Sequence, residues 1–219
     1  MISVVIPTLN HERALARCFD ALIPAAVRGV VRDVIVADGG SSDGTLGIAD
    51  AAGAHIVAAG KLRGEQLHVG AGMARAEWLL FLHPETQLEP GWDQEVESFL
   101  AQEMPERPRA ACFRFALDGF GGEARRDEAK ANLRTWLLGL PYGDQGLLIP
   151  RRLYRQLGGY RALSRLEDVD LVRRIGRRRL IALRSRAVNL ARPRGSVARG
   201  FILSVLHILR VPTRILASL

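Results

Sequence analysis

Residues 31–45 read "VRDVIVADGGSSDGT", and the fold turns on how that stretch is read. The run 31–37, "VRDVIVA", is short, apolar and β-branched, the composition of a buried strand, and Asp38-Gly39-Gly40 ends it. "SSDGT" then offers an N-cap and a turn into a helix that stops near Gly53. Upstream the same pattern is already present. Residues 2–6, "ISVVI", form another buried run closed by Pro7, and Glu12 to Ala25 carries Leu15, Cys18, Phe19 and Leu22 at helical spacing. Downstream it continues, with a strand at His55–Ala58, a helix from about Arg63 to Ala76 and a strand at Trp78–Leu82. Strands that alternate with helices predict a parallel sheet covered on both faces.

Beyond "EPGW" the reading is a helix over Trp92–Gln102, a break at Pro105 and Pro108, a strand over Ala110–Leu117 and an amphipathic helix over Glu123–Leu138. "GDQGLLIP" reads as a turn into a strand, "EDVDLVRRI" as a helix start, and Val197–Leu209 as an apolar helix edged by Arg. A chain of 219 residues suffices for a single domain at roughly 100–200 residues each. The longest apolar run of the last quarter, Phe201–Leu209, spans nine residues, against the roughly 20 that a membrane-crossing helix needs. The opening "MISVVIPTLN" has no basic leader, and Cys18 and Cys112 are far apart without metal-type spacing. The expectation is a protein of the reducing cytoplasm.

Charge is uneven along the chain. From Arg151 onward there are 17 Arg and no Lys against Glu167, Asp168 and Asp170, so this third carries +14 of a net +8 and the first 150 residues carry −6. The asymmetry points the C-terminal third toward something acidic: nucleic acid, anionic lipid or phosphorylated small molecules. Arginines on solvated helix faces explain most of them equally well. Nucleic acid is the weakest of the three, because the arginine-rich region has few interleaved aromatic residues.

In a parallel sheet, ligands bind in the crevice outside the carboxyl ends of the strands. Thr8 and Asn10 follow the first strand, Asp38 the second, and His83 and Glu85 the strand that opens "WLLFLHPETQL" (residues 78–88). Three polar clusters on one sheet edge describe a site. After Asp38 the small residues allow close approach to a ligand while the carboxylate accepts from a base edge or a ribose, or they form only a strand-to-helix turn. "HPET" reads as a metal or phosphate site or as a polar turn. "GAGMAR" (70–75) lies inside a helix with Arg75 in its third position, so it reads as close helix packing and not as a dinucleotide fingerprint. Glu167-Asp168-Val169-Asp170 complements a helix dipole or supplies a general base.

Taken together, "VVIPTLN", "VIVADGGSSDGT", "RGEQLHVGAGMARAEWLLFLHPET", "GLLIPRRLYRQLGGY" and "EDVDLVRRI" resemble the family 2 glycosyltransferases over most of residues 2–176. The resemblance implies the GT-A type of α/β fold, a mostly parallel sheet flanked by helices in one domain. Residues 1–104 would be its Rossmann-like nucleotide-sugar-binding half, 105–190 its acceptor-binding and catalytic-base half, and 191–219 a basic, apolar helical tail. It implies inverting transfer of a sugar from a nucleotide sugar, a UDP-sugar for preference, to an acceptor hydroxyl.

Carried over residue by residue, the resemblance sets Thr8 and Asn10 under the nucleoside and Asp38 against the base. Arg63 approaches the diphosphate, with Gln66 on the same donor side. Glu85 fills the last position of the Asp-x-Asp motif and, with His83, holds Mg2+ or Mn2+. Asp168 matches the catalytic base. The acceptor, a saccharide or a lipid-linked compound, would meet the back half, where Tyr142, Asp144 and Gln145 either line the pocket or serve the turn. His11, His68, Pro84 and Glu85 depart from the family pattern, and Glu85 adds a methylene to the expected Asp. Peripheral contact of the tail with the anionic inner face of a membrane is a further expectation. Two other readings remain at this stage. A sugar nucleotidyltransferase would need a Gly-rich basic loop after the first strand, which "PTLNHER" lacks, and a non-catalytic binding protein would keep the scaffold alone.

Overall fold

The computed structural model of the protein describes residues 1–190 except Phe120, Tyr142 and Ser164. The expected helix at Val197–Leu209 and the Tyr142 side chain lie outside the described residues. Eight strands form one sheet in the order β3-β2-β1-β4-β7-β6-β8-β5. They are β1 (Ile2–Thr8), β2 (Val31–Asp38), β3 (His55–Ala58), β4 (Trp78–Phe81), β5 (Thr86–Leu88), β6 (Ala110–Asp118), β7 (Leu147–Pro150) and β8 (Leu180–Leu190). The helices are α1 (Glu12–Val27), α2 (Thr45–Ala51), α3 (Arg63–Met73), α4 (Trp92–Ala101), α5 (Gly122–Leu138), α6 (Arg151–Gln156) and α7 (Glu167–Ile175).

The front half follows the alternation read from the sequence. β3, β2, β1 and β4 are parallel neighbours, so the ends of β1, β2 and β4 share one edge. β7 then runs antiparallel to β4 and to β6, β8 is parallel to β6, and β5 closes the far edge antiparallel to β8. The sheet is therefore mostly parallel with two reversed strands.

Alternate residues of each strand go to opposite faces, as the period of two requires. Val4, Ile6, Val36, Leu80 and Leu148 pack with Leu15, Phe19 and Leu22 of α1 and Trp92 and Val96 of α4. Val5, Ile35, Leu79, Phe81 and Ile149 pack on the other side with Leu67 and Ala71 of α3, Leu153 of α6 and Leu171 of α7. Each such fully buried side chain contributes about 1.5–3 kcal/mol. Gly70 brings α3 against the sheet: a Cβ there would lie 2.5 Å from Val5 Cγ1, so the small residues of "GAGMAR" do serve helix packing. Both cysteines are buried and free, and burial pushes each thiol up to about 12.

Three elements were not anticipated: β5, α6 and β8. β8 alternates buried Leu183, Ser185 and Ala187 with exposed Arg184 and Arg186, a period-two pattern that the density of arginine hides. α3 also ends at Met73, three residues before the helix read from the sequence.

Candidate active site

At the carboxyl edge, the loop after β1 and the loop after β2 are fastened to each other. Thr8 Oγ1 donates to Asp38 Oδ1 at 2.9 Å, Ser41 Oγ donates to the same oxygen, and the backbone N–H groups of Gly40 and Ser41 donate to Oδ2 at 2.8 and 2.7 Å. Burial alone would raise the Asp38 carboxyl, but these donors outweigh it and hold it below the ordinary value. Asp38 thus organises the turn with both oxygens, and any contact with a base shares an oxygen that the loop already uses. Asn10 sits at φ 59°, a left-handed conformation that Asn tolerates. Its Oδ1 accepts from the Ser42 N–H at 2.8 Å, while its own N–H donates to Ser41 Oγ at 2.8 Å. Asp43 accepts from the N–H of Thr45 at 3.0 Å and of Glu12 at 3.2 Å, and so ties the start of α2 to the start of α1. The N-cap expected within "SSDGT" is Gly44, which makes no side-chain cap hydrogen bond.

Gln66 stands behind the loop. It is 3% exposed and donates from Nε2 to the Gly60 carbonyl at 3.1 Å. A Cβ on Gly39 would collide with that amide, so Gln66 supports the turn from the protein side.

The opposite wall is made by α7 and the start of α3. Asp168 is 5% exposed and accepts from Arg63 Nη2 on Oδ2 at 2.8 Å and from the Tyr160 hydroxyl on Oδ1 at 3.2 Å. Arg63 also donates from Nε to Glu167. Burial opposes the charge of this guanidinium, but the flanking carboxylates of Asp168 and Glu167 more than offset it and raise its pKa. Glu167 is shifted the other way for an acid. Burial and the adjacent Asp168 raise its pKa, and Arg63 only partly compensates. Burial, helped by the charges on Asp168 and Glu167, raises Tyr160 well above its usual value, so this hydroxyl remains a donor to Asp168. The ring is fixed edge-on against Phe81 with centroids 4.9 Å apart.

Beside Asp168, and reaching Pro7 at the end of β1, lies a shallow cleft open to solvent and lined by Pro7, Arg63, His83, Gly143, Tyr160 and Asp168 among others. A Cβ on Gly143 would stand 2.5 Å from Asp168 Oδ2, so the space above the carboxylate exists because residue 143 has no side chain. His83 faces this cleft, whereas Glu85 lines a neighbouring one with Arg17, Cys18 and Asp118. The two residues still meet across the turn: His83 Nδ1 is 3.8 Å from Glu85 Oε2 and accepts the Glu85 N–H at 3.3 Å. Among the described residues no group of three or more His, Cys, Asp or Glu forms a self-sufficient ion site. The His83 nitrogen nearest Glu85 is already taken by the turn, so an ion here would meet the Glu85 carboxylate and at most the other imidazole nitrogen, and would have to bring its remaining ligands with it. Mg2+ and Mn2+ behave in this way when they arrive on phosphate oxygens.

Of the residues suggested for the acceptor side, Gln145 does not line the cleft. It is 1% exposed, accepts from Thr135 Oγ1 at 2.9 Å and donates to the Phe113 carbonyl at 3.1 Å. Asp144 offers its carbonyl to Asn189 Nδ2 at 2.8 Å, so the turn chemistry of "GDQG" is internal support for Gly143. Tyr160 and Gly143 are the site residues that sequence reasoning missed. Both lie inside stretches singled out for other reasons, and neither residue type announces a role.

The sequence model of the family described as Glycosyl transferase family 2 matches residues 3–136. The chain belongs to that family. No curated protein sequence matches this glycosyltransferase, but its fold has solved counterparts. It is similar to glucosyl-3-phosphoglycerate synthase from Mycobacterium tuberculosis in complex with Mn2+, UDP and phosphoglyceric acid, with a TM-score of 0.68 and 22% identity over 97% of this chain and 79% of that one. A complex of the same synthase with Mn2+, UDP-glucose and phosphoglyceric acid gives 0.66 at 23% identity, over 97% and 80% of the two chains. A further crystal structure of the M. tuberculosis synthase gives 0.65 at 21%, over 97% and 81%. The glycosyltransferase thus has the GT-A type of single α/β domain that the sequence led us to expect.

Proposed function

We propose that this glycosyltransferase moves a sugar from a nucleoside-diphosphate sugar, a UDP-sugar for preference, to an acceptor hydroxyl with inversion at the anomeric carbon. The observation that carries the reading is Asp168, a buried carboxylate at the mouth of a cleft, with open space above it and two donors that fix both of its oxygens. A positioned carboxylate within reach of a hydroxyl is what a general base requires. Asp168 would take the proton from the acceptor oxygen as that oxygen attacks, and a single displacement inverts the centre. Tyr160 and Arg63 orient the carboxylate. Thr8, Asn10 and Asp38, buttressed by Gln66, form the donor wall, where exposed Asn10 and the left-handed turn leave backbone groups facing the nucleoside. Glu85 and His83 would hold Mg2+ or Mn2+ together with the donor phosphates, and the ion supplies charge neutralisation on the leaving diphosphate. Complexes of the structurally similar synthase with Mn2+ and UDP or UDP-glucose support this assignment.

The test is a thermal shift with UDP, GDP and dTDP, each with and without Mn2+, followed by turnover of the matching sugar nucleotides. UDP with Mn2+ is expected to raise the melting temperature most, and Glu85→Ala to remove the metal-dependent part. If no nucleoside diphosphate shifts the transition, the donor assignment fails.

A further inference from the structure

The edge of the sheet opposite the crevice has a surface chemistry of its own. The strand pairings place Ile2, Trp78, Pro150, Ala110 and Leu180 along that edge, so the segments next to them lie there side by side. These segments carry Arg75, Arg107, Arg152, Arg177, Arg178 and Arg179, all exposed and, among the described residues, all without a carboxylate partner. The two exposed carboxylates interspersed with them are Glu77 and Glu106. By contrast Arg28 and Arg109, also on this edge, are neutralised by Asp93 and Glu97 and by Glu103. Set among the unpaired arginines are large apolar side chains turned to solvent: Met1 at 65%, Val27 at 83%, Met73 at 54% and Met104 at 63% exposed. Each of these sits just ahead of a strand or at the end of the helix that leads into one.

Arginine alone would suit any polyanion. Arginine interleaved with protruding Met and Val, and with no exposed aromatic ring among the described residues to stack on a base, suits the interface of an anionic bilayer, where guanidinium groups meet headgroups and short apolar side chains enter the acyl boundary. We propose that this edge docks the enzyme on an anionic lipid surface through the arginines of residues 75, 107, 152 and 177–179 and the apolar tips of Met1, Val27, Met73 and Met104. Docked in this way, the carboxyl edge and its cleft face the aqueous side. The proposal is independent of the donor and acceptor assignments.

The test is sedimentation of the full-length chain with phosphatidylcholine vesicles and with vesicles containing phosphatidylglycerol. The chain is expected to bind only the anionic vesicles and to release as salt rises. Full-length R152E/R178E/R179E is expected to lose binding by on the order of a hundredfold or more, because each arginine at such a surface contributes about a factor of five. As a second variant that leaves the charges alone, M73S/M104S is expected to weaken vesicle binding while leaving retention on heparin unchanged. Three results would overturn the proposal: undiminished vesicle binding by R152E/R178E/R179E with its thermal melt intact, an equal loss in full-length R192E/R194E/R199E, or binding to heparin or RNA but not to vesicles.

Discussion

The two walls of the cleft are built by different physics. The proposed donor wall joins the loops after β1 and β2 through neutral and charge-assisted hydrogen bonds between residues about one strand-helix unit apart, such as Thr8 with Asp38 and Asn10 with Ser42. The proposed catalytic wall is an ion-pair cluster whose members come from distant parts of the chain, Arg63 with Glu167 and Asp168. The first wall forms once two neighbouring units are in register. The second exists only when the back half has closed over the front. A site divided in this way should show a donor wall that tolerates loss of single contacts and a catalytic wall that does not.

The largest expected effect is on turnover. Asp168→Asn should lower kcat by about 10²- to 10⁴-fold, the usual contribution of a general base, while the thermal shift produced by UDP with Mn2+ persists; loss of both together would show that Asp168 belongs to donor binding. Next is Arg63→Met, which leaves Glu167 and Asp168, 2% and 5% exposed, facing each other without a cation. Buried pairs broken in this way cost about 3–5 kcal/mol. The Arg63 side chain is 40% exposed, so about 2–3 kcal/mol is the appropriate figure after solvent screening, to be read from urea denaturation.

Asp38→Asn probes the first wall. The amide can present only one oxygen to four donors, and a loss of about 1–2 kcal/mol is expected. The pH dependence should change with it. Because the folded carboxyl lies below the ordinary value, its contribution is complete above the unfolded pKa of about 3.9 and is lost as pH falls through the folded value. The variant should therefore have a flatter acid limb than the parent in melts below about pH 4. The smallest effect belongs to Ser42→Ala. Its N–H still donates to Asn10, only a 3.4 Å hydroxyl contact is lost, and stability should stay within about 0.5 kcal/mol. A large effect there would mean that the donor wall is as brittle as the catalytic one.

The same division explains what could be read from the chain. "VADGGSSDGT" encodes a strand, a stop, a turn and a cap in adjacent residues, so the carboxyl-edge position of Asp38 was legible, although its engagement by Ser41 and Gly40 was not. "HPET" placed His83 and Glu85 at the end of β4, but only the backbone geometry of the turn decides that they face different clefts. Asp168 was legible as a candidate base. Its partners were not: Arg63 lies more than a hundred residues away, and the Tyr160 hydroxyl reaches it through a loop whose path has no sequence signal. For Gln145 the sequence leaves pocket lining and turn chemistry equally open, and its contacts with Thr135 and Phe113, made by segments distant from the turn's own residues, decide for the buried, supporting role. β8 escapes a reading from composition because it lies between β6 and β5 yet exposes Arg184 and Arg186 on one face, so its period of two is carried by arginines and not by an apolar run.

Gly143 places an unusual limit on how this enzyme can be altered. Every L side chain at this position begins with a Cβ 2.5 Å from Asp168 Oδ2, on the oxygen that Arg63 already holds in place. A library randomised at residue 143 and selected for turnover should return glycine almost alone, while the same library screened only for folding should also return small residues, at a stability cost because any Cβ must push Asp168 away from Arg63. Changing the acceptor by engineering would then have to proceed through the neighbours of this position, because the wall above the base is backbone and offers no side chain to exchange.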